Sequence, residues 1–277
     1  MILTGHLHGI DARVVRVEAQ TGMGSLPSFT LRGVPEALAR EARVRVQAAL
    51  ANIGRPLPAR VDVTFAAGGQ VVDGSGLDLP AALEIVGAVL PGAAAIGELS
   101  LMGEVRPVRG VLSVVEALRT HACVIFVAPE NVDEARLVRG VRVVGVRNLD
   151  EAIAFASGKR DLPAGVPPSL HAPRARVGAP DTSDIKGHAR ARRAMEIAAA
   201  GNHHVAQVGP PGSGKTMLAR RLPALLPPLT DDEALDVTRV HSAAGLNVGG
   251  GLVPALPFRA PHRSTTAISA GWIRAGR

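Results

Sequence analysis

The run Gly209-Pro210-Pro211-Gly212-Ser213-Gly214-Lys215-Thr216 is the stretch of this chain whose residue types and spacing most specifically encode chemistry. It satisfies G-x-x-x-x-G-K-[ST], the pattern of a loop that cradles phosphate oxygens. Glycine at these positions lets backbone N–H groups turn inward and approach an anion without a Cβ in the way. Lys215 offers a point charge to the β- and γ-phosphates of a nucleotide, and the Thr216 hydroxyl offers a ligand to the accompanying Mg²⁺. With Met217 at the start of the following element, residues 209–217 form the candidate nucleotide-binding set.

Such a loop works only between a buried strand and the N-terminus of a helix, so that the helix end faces the anion. His204-Val205-Ala206-Gln207-Val208 stands where the strand belongs, and Met217-Leu218-Ala219-Arg220-Arg221-Leu222 has the apolar face of a helix. Gln207 departs from the wholly apolar composition usual for such a strand. His203-His204 is the nearest thing to a metal-ligating pair, but neighbours in an extended segment point to opposite sides, which favours a structural role.

Composition bounds the rest. The chain has 277 residues, room for two domains, and 47% of them are hydrophobic. Aromatics make up 2% and tyrosine is absent, so the cores are built from Val, Leu, Ile and Ala. Platforms for stacking nucleic-acid bases are correspondingly scarce. The net charge of +7 suits an anionic partner, although a genome rich in Arg codons explains it equally well. The single cysteine excludes an internal disulfide and fits a reducing compartment. Its setting, Ala122-Cys123-Val124-Ile125-Phe126-Val127, predicts a buried thiol. Met1 to His6 shows no export signal, and the longest apolar run, 77–97, is interrupted by Asp78, Glu84 and Pro91. A cytoplasmic protein with no membrane association is expected.

Strand and helix patterns alternate through the first 160 residues. Strands are predicted from His8 to Glu18, over 28–32, around Val61-Val63-Phe65, over 124–128 and over 141–146. Helices are predicted after Pro35 as far as Ile53, over 79–89, 111–119, 132–138 and 149–156, with a tight hairpin across 96–105. This order is mixed α/β with a partly parallel sheet. Residues 161–182 are rich in proline and read as a semi-rigid connector that carries Arg174 and Arg176. A helix over 189–200 opens the next domain, and Thr230-Asp231-Asp232-Glu233 reads as a capped helix start.

Two resemblances attach to these residues. The stretch 97–111, Gly-Glu-Leu-Ser-Leu-Met-Gly-Glu-Val-Arg-Pro-Val-Arg-Gly-Val, resembles part of the Lon protease domain, whose fold is that of the second domain of ribosomal protein S5. More closely, Leu31-Arg32-Gly33-Val34-Pro35-Glu36 and Leu77-Asp78-Leu79-Pro80-Ala81-Ala82-Leu83 resemble the N-terminal domain of the YifB/ComM group of magnesium-chelatase-like AAA+ ATPases. Lon cuts peptides with a Ser–Lys dyad. Here the stretch 77–82 has no serine, Leu112 stands at the lysine position, and residues 1–158 contain no lysine at all. Ser75 lies close by in sequence but without an evident base. The first domain is therefore expected to be structural rather than proteolytic.

The resemblance continues into the second domain. Ser183-Asp184-Ile185-Lys186-Gly187-His188 matches a segment that sits beside adenine in the family, which implies Ile185 as a base contact. Phe258-Arg259-Ala260-Pro261-His262 matches a further family element, with Arg263 in place of a second histidine. The implied organisation is a Lon-like domain at 1–160, a connector at 161–182 and the first part of a P-loop AAA+ domain at 183–277. The implied cofactors are ATP or ADP with Mg²⁺, the latter through Thr216. In the full-length family the implied assembly is a hexameric homo-oligomeric ring, with DNA as partner in the ComM branch, which is associated with branch migration during transformation. No apolar run ending in Asp-Glu follows Thr216, so this chain is expected to be a truncated form with little or no hydrolysis and no complete catalytic set. The alternative expectation is a non-catalytic interaction or remnant module that binds nucleotide weakly. A magnesium-chelatase subunit or a Lon-type peptidase fits less well.

Overall fold

The computed structural model describes residues 1–23, 27–161, 163, 182–246, 251–254 and 256–260. The connector with Arg174 and Arg176 falls almost wholly outside the described residues, as do Pro261, His262, Arg263 and 264–277. The chain divides into two compact units, Met1–Ala172 with Leu235–Val253, and Pro173–Ala234 with Pro254–Arg277.

The first unit is built on a seven-stranded sheet. Its strands are β1 (Ile2–His8), β2 (Asp11–Gly22), β3 (Ser28–Arg32), β4 (Arg60–Ala66), β5 (Ala93–Ala95), β8 (Val124–Val127) and β9 (Arg142–Gly145), in the spatial order β3-β4-β2-β1-β5-β8-β9. A separate ribbon pairs β6 (Glu98–Leu99) with β7 (Val105–Arg106). β2 runs antiparallel to both β1 and β4, with Ile2 opposite Val17 and Val17 opposite Phe65. The remaining pairings, β3 with β4, β1 with β5, β5 with β8 and β8 with β9, are parallel. The fold is thus mixed α/β, as the alternation of patterns predicts.

Helices cover both faces of the sheet. On one side α1 (Glu36–Asn52), α2 (Asp78–Ile85) and α5 (Leu149–Ala156) bury Val46, Leu50, Leu79, Leu83 and Leu149 against Val15, Val17, Val61, Val63 and Phe126. The rings of Phe126 and Phe155 stack at 6.5 Å. Each fully buried Leu or Phe contributes about 1.5–3 kcal/mol, so this layer dominates the stability of the unit. On the other face α3 (Val111–Leu118) packs on β1 and β2, and the short α4 (Val132–Ala135) lies on β9.

Several elements differ from the sequence pattern. The N-terminal strand signal resolves into two strands, β1 and β2, joined through Gly9 and Ile10. β5 is three alanines in the middle of the sheet, where the sequence offers no β-branched residue to mark a strand. α2 ends at Ile85, four residues before the expected stop, because the chain turns at Gly87 with φ +65°. Cys123 is exposed rather than buried. It precedes β8 by one residue, and its thiol faces the Gly92 carbonyl at 3.3 Å instead of the core.

Candidate functional site

The second unit presents the glycine loop. α6 (Ala189–Ala200) follows His188, which holds a left-handed conformation at φ +53° after Gly187 at φ +78°. α6 buries Met195, Ala198 and Ala199. The chain then passes through 203–208 into the loop, and α7 (Lys215–Ala219) opens at Gly214, anchored by buried Leu218. A break at Arg220 and Arg221 leads into α8 (Leu222–Leu225).

Residues 204–208 are not a ladder strand here. No described residue of the second unit pairs with them, and a strand exists only where a neighbour takes its backbone hydrogen bonds. Val205 and Val208 are consequently exposed. Gln207 reaches back to α6, where its amide lies 3.5 Å from the Met195 sulfur.

Within the loop, Gly212 and Gly214 both adopt φ +79°, a region that L side chains rarely visit. A Cβ at Gly212 would meet nothing within 4 Å, so that stretch of backbone is open to an approaching group. The Lys215 ammonium folds over the loop and donates to the Gly209 carbonyl at 2.8 Å, the Pro210 carbonyl at 2.7 Å and the Ser213 hydroxyl at 3.2 Å. The first N–H groups of α7 have no partner within the helix, as at any helix start.

A cavity of about 410 Å³ lies beside this loop. Of the residues singled out from the sequence, Gly209, Pro210, Ser213 and Lys215 line it. Pro211, Gly212, Gly214, Thr216 and Met217 do not, and Ile185 is buried at 2% exposure, its carbonyl 3.4 Å from Arg192 Nη1. The rest of the lining comes from His188, from α6 chiefly through Met195, from the segment 205–208 chiefly through Gln207, and from Leu218 of α7. His188 belongs to the same sequence segment as Ile185. Met195 carries no chemical signal of its own; only helical register brings it here.

The donor set suits a nucleotide with Mg²⁺. The loop offers open glycine backbone, a lysine already satisfied by loop oxygens at its mouth, and an exposed Thr216 hydroxyl beyond it. No group of three or more metal-ligating side chains exists among the described residues, and His203-His204 forms none. No helix among them is long and apolar enough to cross a membrane.

In the first unit the stretch 77–82 enters α2, and Leu112, at the position the Lon resemblance gives to the lysine, lies in α3. Leu112 is wholly buried in α3, and Asp78 is 1% exposed at the start of α2. Arg45 Nε lies 2.6 Å from Asp78 Oδ2, and the Leu99 N–H donates to the same carboxylate at 3.1 Å. Burial nevertheless pushes the Asp78 carboxyl up to about 6, against the opposing pull of Arg45.

The family model described as magnesium chelatase, subunit ChlI, matches residues 181–272, and that described as subunit ChlI of Mg-chelatase matches residues 15–131. The Mycobacterium tuberculosis protein Rv2897c is 40% identical over 95% of this chain and 54% of its own length. Competence protein ComM of Haemophilus influenzae is 35% identical over 93% of this chain and 52% of its own. YifB of Escherichia coli is 34% identical over 93% and 52%. The chain thus spans about half the length of the curated relatives it matches. It belongs to the YifB/ComM group of magnesium-chelatase-like AAA+ proteins.

Proposed function

We propose that the chain binds an adenine nucleotide with Mg²⁺ at the loop 209–216, within the nucleotide-handling module of a ring-forming AAA+ ATPase that acts on DNA. The observation that carries this reading is the loop itself. It holds two glycines at φ +79°, an open approach at Gly212, and Lys215 held across the carbonyls of Gly209 and Pro210. Phosphate oxygens offer that ammonium a stronger, charge-assisted partner than neutral carbonyls do. Gly212 and Gly214 supply the backbone donors, Thr216 the hydroxyl for Mg²⁺, and Met217 the first turn of α7. The 410 Å³ cavity beside Lys215, walled by Met195 and His188, is of a size to take the base or sugar; the family resemblance adds Ile185 as a base contact. When bound, Mg²⁺ would be held by the Thr216 hydroxyl and would supply positive charge to the phosphates.

The DNA and ring assignments rest on family membership and on the name of the competence relative. The positive charge of the chain is consistent with them. Titration of a fluorescent ATP analogue into the 277-residue chain tests the site. Saturable binding that requires Mg²⁺ and disappears in Lys215→Ala is expected. Identical curves for the two proteins would remove the assignment.

A further inference from the structure

The first unit contains a larger cavity, about 780 Å³, bounded by β1, the loop before α2 and the turn before α3. Three basic side chains line it, namely His6, His8 and Arg109, against one carboxylate, Asp73. His6 is 7% exposed. Its Nδ1 lies 2.6 Å from the Asp73 carbonyl and 3.1 Å from the Asp73 N–H, while Nε2 has no partner among the described residues. His8 and Arg109 likewise form no ion pair there.

The loop Asp73-Gly74-Ser75-Gly76 forms the facing wall and leads into α2. The N–H groups of Gly74, Ser75 and Gly76 donate to no acceptor among the described residues, although Gly76 is buried. Buried backbone donors are almost always paired, so the unused Gly76 N–H next to a cavity, with the exposed Gly74 and Ser75 N–H groups beside it, marks a place for an external acceptor. Consecutive free N–H groups of this kind form anion-binding concavities. The carboxylate of Asp78, which follows the loop, does not line the cavity, because Arg45 and the Leu99 N–H hold it elsewhere. The Arg109 side chain passes close to Gly245. A Cβ there would stand 2.7 Å from Arg109 Nε.

The geometry points to a second ligand site in this unit, one that takes a small organic anion bearing a phosphate or carboxylate group. Gly74, Ser75 and Gly76 donate from the backbone, His6 Nε2 donates from the buried side, and Arg109 supplies charge at the rim. With the Asp73 N–H directed at Nδ1, the ring carries its own N–H on Nε2, toward the cavity. The cavity volume matches that of small-molecule sites. This site is independent of the phosphate loop, and its test is arranged accordingly.

The test uses the 277-residue chain carrying Lys215→Ala, so that the phosphate loop contributes nothing. Inorganic phosphate and citrate are titrated separately while imidazole and amide resonances are followed by NMR. At least one of them should move the Gly74, Ser75 and Gly76 amides and the His6 imidazole resonances together and saturably. Which anion does so identifies the source chemistry. Arg109→Ala, a change at an exposed residue, should weaken the effect at least tenfold, and His6→Gln should remove the imidazole response with the amide shifts reduced. The inference is overturned if neither anion perturbs the loop, or if the perturbation is unchanged in Arg109→Ala.

Discussion

The pair formed by Arg45 and Asp78 shows how a single buried contact ties sequence to stability. Neither residue stood out as a pair in the sequence, because they are far apart along the chain and only the packing of α1 on α2 brings them within 2.6 Å. In the unfolded chain the Asp78 carboxyl titrates near its ordinary 3.8, and in the folded chain near 6. Between those values the folded state keeps a proton that the unfolded state has released. The stability contribution of this group is therefore fully present below about pH 4 and is lost as pH rises through about 6, by on the order of 3 kcal/mol. Urea unfolding should show that slope, and Asp78→Asn should flatten it; an unchanged slope in the variant would disprove the assignment. Arg45→Met at pH 7.5 leaves a buried carboxylate unpaired and should lose about 3–5 kcal/mol of stability. Cys123 teaches the opposite lesson. Its apolar neighbours suggest burial, yet a displacement of one residue from the start of β8 turns the thiol outward. A maleimide should therefore modify Cys123 in the folded protein nearly as fast as in denaturant.

At the level of elements, legibility followed the strength of the local signal. β3 and α6 fall where alternation or helical spacing puts them, and α9 (Asp231–Ala243) starts at the expected cap. There Glu233 accepts from the Thr230 N–H at 2.8 Å and hydroxyl at 2.9 Å, and Thr230 Oγ1 accepts from the Glu233 N–H at 3.3 Å. Those reciprocal bonds hold the Glu233 carboxyl below its usual range. α5 has a similar device that the sequence shows less openly. Asn148 accepts from the Glu151 N–H at 2.8 Å, and Glu151 accepts from the Arg147 N–H at 2.9 Å. Asn148→Ala removes that cap and should cost about 1 kcal/mol, read as a lower urea midpoint with an unchanged slope. The missed elements lacked any local signal. β5 is a strand because β1 and β8 flank it, and Ala95 fits beneath the helices where a larger residue would not. The segment 204–208 is the converse case: its residues suit a strand, but no described partner pairs with them.

For the whole molecule, the family was readable from motifs, as was the glycine loop on which the proposed site rests, whereas both cavities were assembled by the fold. Gln207 and Met195 reach one of them, and His6 and Arg109 the other, from positions far apart in sequence. Family membership and the content of this polypeptide lead to different expectations for turnover. An AAA+ motor hydrolyses ATP by combining the phosphate loop with a carboxylate that orients water and an arginine from a neighbouring subunit. The 277-residue chain supplies the loop and the Thr216 hydroxyl, but residues 217–277 contain no apolar run ending in Asp-Glu. Asp231-Asp232-Glu233 cannot take that part, since those residues open α9 and Glu233 is engaged with Thr230. Arg259 is exposed, and if no other carboxylate of this polypeptide orients the water, the loss in rate is about three to five orders of magnitude. The purified 277-residue chain is therefore expected to bind nucleotide in a Lys215-dependent manner and to release no phosphate above background, with or without DNA. Steady-state phosphate release by the unextended chain, stimulated by DNA and abolished by Lys215→Ala, would show that the catalytic carboxylate lies within these 277 residues after all.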